Sequence, residues 1–266
     1  MLIRQFLLEL NVTTFNFNSK LNFMKGVKTT VIVFSMIIAI GFILQSFAKK
    51  SDFKAALLTE NMVGEFKTLS VHGCMDVIFT QGPAAEAKLE GDQALIDKIE
   101  FEKKGDELIV KFNDKNIDCS SNKSVRIYLS SPAIENINLA GSGNITSTNQ
   151  ITNNGNFGLD IAGSGNIDID LISASLSADI AGSGNIEVEG ITNKVEIDIA
   201  GSGNFKGSNL IVSEAAIDIA GSGNVYINTS GNITADIAGS GHVLYTGTPA
   251  KIKKDIAGSG KVKAAN

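Results

Sequence analysis

Apolar and polar residues alternate with a period of two through the second half of the chain. Val195-Glu196-Ile197-Asp198-Ile199 is the clearest run, and Ile167-Asp168-Ile169-Asp170 and Ala216-Ile217-Asp218-Ile219 repeat its form. Successive side chains of a β-strand point to opposite faces, so these runs predict strands with one buried face and one wet face. After residue 133 nothing shows the 3.6-residue spacing of an amphipathic helix. The first half is less regular. Strands are predicted at 66–71, 76–80, 107–112 and 125–129, with one short helical turn within 93–99. Gly82-Pro83, Gly91-Asp92, Gly105-Asp106 and Ser131-Pro132 punctuate them.

The alternating runs are separated by one recurring unit, Ala-Gly-Ser-Gly. Its first glycine falls at Gly141, Gly163, Gly182, Gly201, Gly221, Gly239 and Gly258, at intervals of 22, 19, 19, 20, 18 and 19 residues. Self-similarity at such a period signals a solenoid. The units lack the spaced leucines of a leucine-rich repeat and are too short for tetratricopeptide or ankyrin repeats. The predicted fold is all-β: a single-chain parallel β-helix, or β-solenoid, of about 19–20 residues per coil, right-handed like other crossovers between parallel strands. One coil cannot bury its apolar side chains alone, but stacked ~4.8 Å from the next it pairs its backbone and closes a core. For the coil ending at Ala200 the expected inward set is Ile186, Val188, Ile191, Val195, Ile197 and Ile199. The seven glycines are the expected structural turns, since glycine reaches φ > 0 without a Cβ penalty.

Stacking turns equivalent positions into columns. Asn144, Asn166, Asn185, Asn204 and Asn224 form one, continued by His242 and Lys261. It reads as an amide ladder. The serines of the repeat form an exposed tip. Asp160, Asp179, Asp198, Asp218, Asp236 and Asp255 form a third column, with Asn138 before them. Like charges ~4.8 Å apart repel, so solvation, hydrogen bonds or bound cations must offset the row. The candidate metal reading is Ca²⁺ on those six aspartates, although the repeat does not match the calcium-binding nonapeptide.

Charge and the N-terminus place the chain outside the cytoplasm. Lys25 and Lys28 precede a mainly apolar run over 31–44, and Ser46-Phe47-Ala48 follows. This order reads as a secretory signal over 24–48, cut after Ala48. The alternative, an uncleaved anchor, needs ~20 apolar residues to span a bilayer. Residues 1–23 lie upstream of the signal, and Met24 is the expected start. Residues 49–63 read as a linker. Without 1–48 the chain keeps 19 basic and 27 acidic residues. That acidic body argues against a nucleic-acid or anionic-lipid partner. Export implies an oxidising compartment. Cys74 and Cys119 either form one disulfide or stay free thiols, and the sequence leaves both open. Two cysteines and two distant histidines, His72 and His242, lack zinc-site spacing.

Three features together resemble the bacterial GIN-domain family of auto-transporter adhesin head domains, widespread in Bacteroidetes. They are Phe66-Lys67-Thr68-Leu69-Ser70-Val71-His72-Gly73, then Leu89-Glu90-Gly91-Asp92, then the Ala-Gly-Ser-Gly-Asn series. Tyr245-Thr246-Gly247-Thr248-Pro249-Ala250 also fits. The likeness covers about 64–263: irregular first coils over 64–132 and repeat coils over 133–263. It implies a parallel β-helix and a surface role, and offers no catalytic residues or cofactor. The expected function is an exported, non-enzymatic envelope or surface protein, adhesin-like, with a glycan or protein ligand. It would act in the periplasm, on the outer-membrane surface or after secretion. A carbohydrate-active enzyme on the same scaffold is the competing reading, with Asp168, Asp170, Glu187 and Glu189 as its exposed acids. A structural or signalling partner in the envelope is the third. Gly-Ser-Gly-Asn lacks the third glycine and the following helix of a dinucleotide-binding turn.

Overall fold

The computed structural model describes residues 61–265 except 115, 118 and 120–124. The expected signal over 24–48, the upstream 1–23 and residues 49–60 of the expected linker lie outside the described residues. The described residues belong to one compact unit. It is nearly all strand, a β-solenoid of about seven turns.

The repeat coils are built by β8 (Asn136–Gly141), β9 (Asn144–Ser147), β10 (Ile151–Gly163), β11 (Asn166–Gly182), β12 (Asn185–Gly201), β13 (Asn204–Gly221), β14 (Asn224–Gly239), β15 (His242–Thr246), β16 (Lys251–Gly258) and β17 (Lys261–Ala264). All neighbouring pairs among them are parallel. Gly182 registers with Gly201, Asp179 with Asp198 and Asn185 with Asn204. Within β12 the buried positions are Ile186, Val188, Thr192, Val195, Ile197 and Ile199. The expected inward place for Ile191 is therefore wrong: Ile191 is 49% exposed and Thr192 is 1% exposed. Alternation runs unbroken from Ile186 through Gly190 to Thr192, so Ile191 falls on the wet face. The phase shifts afterwards, between Thr192 and Val195, where the coil turns. Small polar residues serve this bend because their hydroxyls find local partners. Ser173 Oγ donates to Thr192 Oγ1 at 3.1 Å, and Thr192 Oγ1 donates to the Lys194 carbonyl at 3.2 Å.

The start of the solenoid is laid down out of order. β1 is Asn61–Met62, β2 Thr68–Gly73, β3 Asp76–Gln81, β4 Glu86–Gly91, α1 Gln93–Ile96, β5 Ile99–Lys104, β6 Glu107–Phe112 and β7 Val125–Ser131. β2 lies between β6 and β8, and β3 lies between β7 and β9, all parallel. The chain thus enters at the second layer, steps back to form the first, then crosses over to the third. β4 and β5 add antiparallel pairs to that first layer, and Asn61–Met62 pair with β4. Asp92 caps α1 by accepting from the Ala94 amide at 3.0 Å.

This order hides one further coil from the sequence period. Gly73 registers with Gly141 and Asp76 with Asn144. His72-Gly73-Cys74-Met75-Asp76 therefore occupies the place of Ala140-Gly141-Ser142-Gly143-Asn144. Cys74, at the serine position of that corner, is disulfide-bonded to Cys119, with Cα atoms 5.9 Å apart. The bond ties the connection between β6 and β7 to the corner of the coil above it.

Candidate binding face

At each corner the two glycines are needed for different reasons. The first has φ between +129° at Gly182 and +139° at Gly258, a backbone that side chains other than glycine's hardly reach. A Cβ there would also collide with the carbonyl oxygen of the equivalent glycine one coil below. The second glycine is limited by space alone. A Cβ at Gly203 would press on the Gly184 carbonyl and on Ile180 Cγ2.

The asparagine column is a hydrogen-bonded ladder with one polarity. Asn166 Nδ2 donates to Asn144 Oδ1, Asn185 to Asn166 and Asn204 to Asn185, each at 2.8 Å, and Asn224 donates to Asn204 at 2.9 Å. The chain of amides ends on a charged acceptor, since Asn144 Nδ2 donates to Asp76 Oδ1 at 2.7 Å. Charge-assisted bonds are the stronger kind, and each aligned dipole polarises the next. His242 takes the following place in register, and its Nδ1 is buried without a partner.

The aspartate column sits on a different face. Asp160, Asp179, Asp198, Asp218, Asp236 and Asp255 are in register from β10 to β16. Two residues later in each coil comes an exposed alanine: Ala162, Ala181, Ala200, Ala220, Ala238 and Ala257. The two columns line a groove of about 640 Å³ along the stack. Its floor is apolar because alanine leaves only methyl groups there, and carboxylates run along it. Asn138 and Ser70 extend the aspartate column beyond Asp160, and Asn138 Nδ2 donates to Ser70 Oγ at 3.1 Å. Ser70 Oγ in turn donates to Glu107 Oε1 at 2.6 Å.

Among the described residues no basic side chain forms an ion pair with any of the six aspartates. Burial against the groove raises the pKa of Asp179, Asp198 and Asp218, and the neighbouring carboxylates add to the rise: Asp160 for Asp179, Asp179 for Asp198, and Asp198 and Asp236 for Asp218. Among the described residues no three His, Cys, Asp or Glu side chains gather around a point that would hold a metal ion. The candidate Ca²⁺ aspartates are strung out one per coil.

The four acids of the enzymatic reading lie elsewhere. Asp168, Glu187 and Glu189 help line a second cavity of about 340 Å³ with Lys206 and Tyr226. Lys206 Nζ lies 3.4 Å from Glu187 Oε2. Burial and then Glu187 raise the pKa of Asp168. Asp170 is held apart, accepting from Gln150 Nε2 at 3.0 Å. An apolar column that the sequence reading missed also faces solvent: Ile172, Ile191 and Ile211 register one above another and are 36%, 49% and 57% exposed. Alternation counted from the preceding corner glycines places Ile172 and Ile191 outside, whereas Ile211 lies beyond an irregularity in β13, after Gly207, that shifts the phase and leaves no mark in the sequence.

Residues 65–249 match the family described as "Putative auto-transporter adhesin, head GIN domain". Among solved structures, a "putative adhesin" from Bacteroides fragilis aligns with a TM-score of 0.73 and 23% identity, over 79% of this chain and 96% of that one. Another from Parabacteroides distasonis aligns at 0.63 and 20%, over the same shares. A protein from Parabacteroides distasonis described as a "putative lipid binding protein" aligns at 0.62 and 24%, again over 79% and 96%. At these identities the likeness shows the fold alone. No curated protein matches the chain.

Proposed function

The chain belongs to the auto-transporter adhesin head GIN-domain family, and from that premise we propose that it is an exported, non-enzymatic binding domain of the cell envelope that holds its ligand along the Asp–Ala groove. The groove carries the reading. It repeats one chemical environment in register along the stack, which suits a long ligand held at many weak points. Catalysis by paired acids asks for the opposite, two carboxyl groups whose surroundings push their pKa values apart. Export is supported by the signal-like order of 24–48 and by the Cys74–Cys119 disulfide, which needs an oxidising compartment to persist. On this reading 24–48 is removed, the linker of 49–63 ends in the short pairing of Asn61–Met62 with β4, and 64–263 is the binding domain. Among the described residues no helix is long and apolar enough to cross a membrane.

The test is binding of the purified full chain to arrays of glycans and of matrix proteins, with polysaccharide breakdown followed in parallel. Retention on at least one ligand class without turnover is expected. Polysaccharide depolymerisation by the chain would replace this reading with the enzymatic one, and an absence of binding across both arrays would remove it.

A further inference from the structure

We propose that the groove takes an extended basic peptide segment in the polyproline II conformation, with a lysine or arginine at every third residue set against every second carboxylate of the aspartate column. The inference rests on the binding-domain reading above and names the ligand class. Three observations carry it.

The first is charge complementarity. Six carboxylates stand in a row without a basic partner among the described residues, beside a floor of exposed alanine methyls. A ligand that fills such a groove needs cations along one edge and apolar bulk beneath. A peptide alternating basic residues with prolines presents both, since the pyrrolidine rings pack on the methyls.

The second is the state of the backbone. From β11 to β14 the strands under the groove are paired coil to coil on both sides. The groove therefore offers no free row of N–H and C=O groups to an incoming β-strand. A polyproline II segment needs none, because its own backbone makes no internal hydrogen bonds and stays solvated.

The third is spacing. Two coils advance about 9.6 Å along the stack. One turn of polyproline II advances about 9.3 Å in three residues. The two periods stay in step over the whole aspartate column, which spans about 24 Å. A β-strand lying along the groove repeats every ~6.8 Å and an α-helix every ~5.4 Å, so both drift out of register with the carboxylates. The raised proton affinity of Asp179, Asp198 and Asp218 fits the same picture, since an added positive charge offsets the repulsion from their neighbouring carboxylates.

The experiment titrates the full chain against fluorescently labelled (Lys-Pro-Pro)₃ and reads anisotropy. (Lys-Gly-Ser)₃ has equal charge without the conformation, and (Glu-Pro-Pro)₃ has the conformation with the opposite charge. The inference expects saturable, salt-sensitive binding of (Lys-Pro-Pro)₃ at least tenfold tighter than either control. Asp198→Asn with Asp218→Asn removes one carboxylate from each of the two alternate sets and should weaken it at least tenfold, and Ala200→Leu should do the same by filling the floor with the charge untouched. Both variants keep side chains that the ladder or the surface tolerates, and an unchanged far-ultraviolet circular dichroism spectrum verifies their folding. Equal binding of the two lysine peptides, no binding of (Lys-Pro-Pro)₃, or full binding by folded Asp198→Asn/Asp218→Asn protein would overturn the inference. Array binding that persists in that double variant would then leave the binding-domain reading standing and place its ligand outside the groove.

Discussion

At the residue scale alternation fixes burial between bends and irregularities that reset its phase, and hydrophobicity alone misleads where the two disagree. Ile191 is apolar and lies between inward neighbours in sequence, yet it faces water, while Thr192 is buried and spends its hydroxyl on Ser173 and the Lys194 carbonyl. The sequence reveals the inward positions on either side of the bend and conceals the bend itself, because Thr192 and Asn193 carry no glycine or proline to mark it. A stability comparison follows. Ile191→Ser should change unfolding free energy by no more than about 0.5 kcal/mol, as for most surface sites. Ile197→Ala should cost about 2–4 kcal/mol, since Ile197 is fully buried and its loss leaves a cavity. Chemical denaturation of both variants checks this, and a large loss at Ile191 would contradict the assigned alternation.

At the scale of elements, the columns differ in what they contribute. The asparagine ladder is a satisfied network anchored on Asp76, and it was legible because identical residues recur at the coil period. The aspartate ladder is a strained one, and its repeat alone does not say whether the strain is relieved. The structure adds that no basic side chain among the described residues does so. The pH consequence has a definite sign. Asp179, Asp198 and Asp218 bind protons more tightly folded than free, so their contribution to stability is full below the ordinary carboxylate range and is lost as pH rises through their raised values. Asp198→Asn should therefore stabilise the protein at pH 7 by about 0.2–1 kcal/mol, the usual size of one like-charge cross-strand contact. The gain should shrink toward zero as pH falls below the carboxylate range. Thermal melts of both proteins from pH 3 to 8 follow the difference, and a gain independent of pH would mean that repulsion is not its source.

On the scale of the whole molecule, in-register stacking turns one short repeat into long faces: an amide ladder, a carboxylate groove and an isoleucine stripe. The repeat glycines announced that stacking. They did not announce the crossed order of the first layers, since His72-Gly73-Cys74-Met75-Asp76 keeps only one glycine of its corner and lies 68 residues from its partner corner. Met75 is buried at the place that the second glycine holds in the repeat corners. At the other end the core column Ala178, Ile197, Ile217 and Ala235 is closed by Lys254, an exposed charge at a core position.

Engineered cross-linking tests the stacking most directly. Ser183 and Ser202 hold the same corner position in adjacent coils, because Gly182 pairs with Gly201. Adjacent parallel strands lie ~4.8 Å apart, within the Cα separation that a disulfide accepts. The Ser183→Cys/Ser202→Cys variant should form a bond between these two positions under mild oxidation, read by peptide mass spectrometry, whereas Ser183→Cys/Ser222→Cys, two coils apart at ~9.6 Å, should not. Failure of the adjacent pair to link, or equally ready linking of the distant pair, would contradict a solenoid whose corners stand one above another.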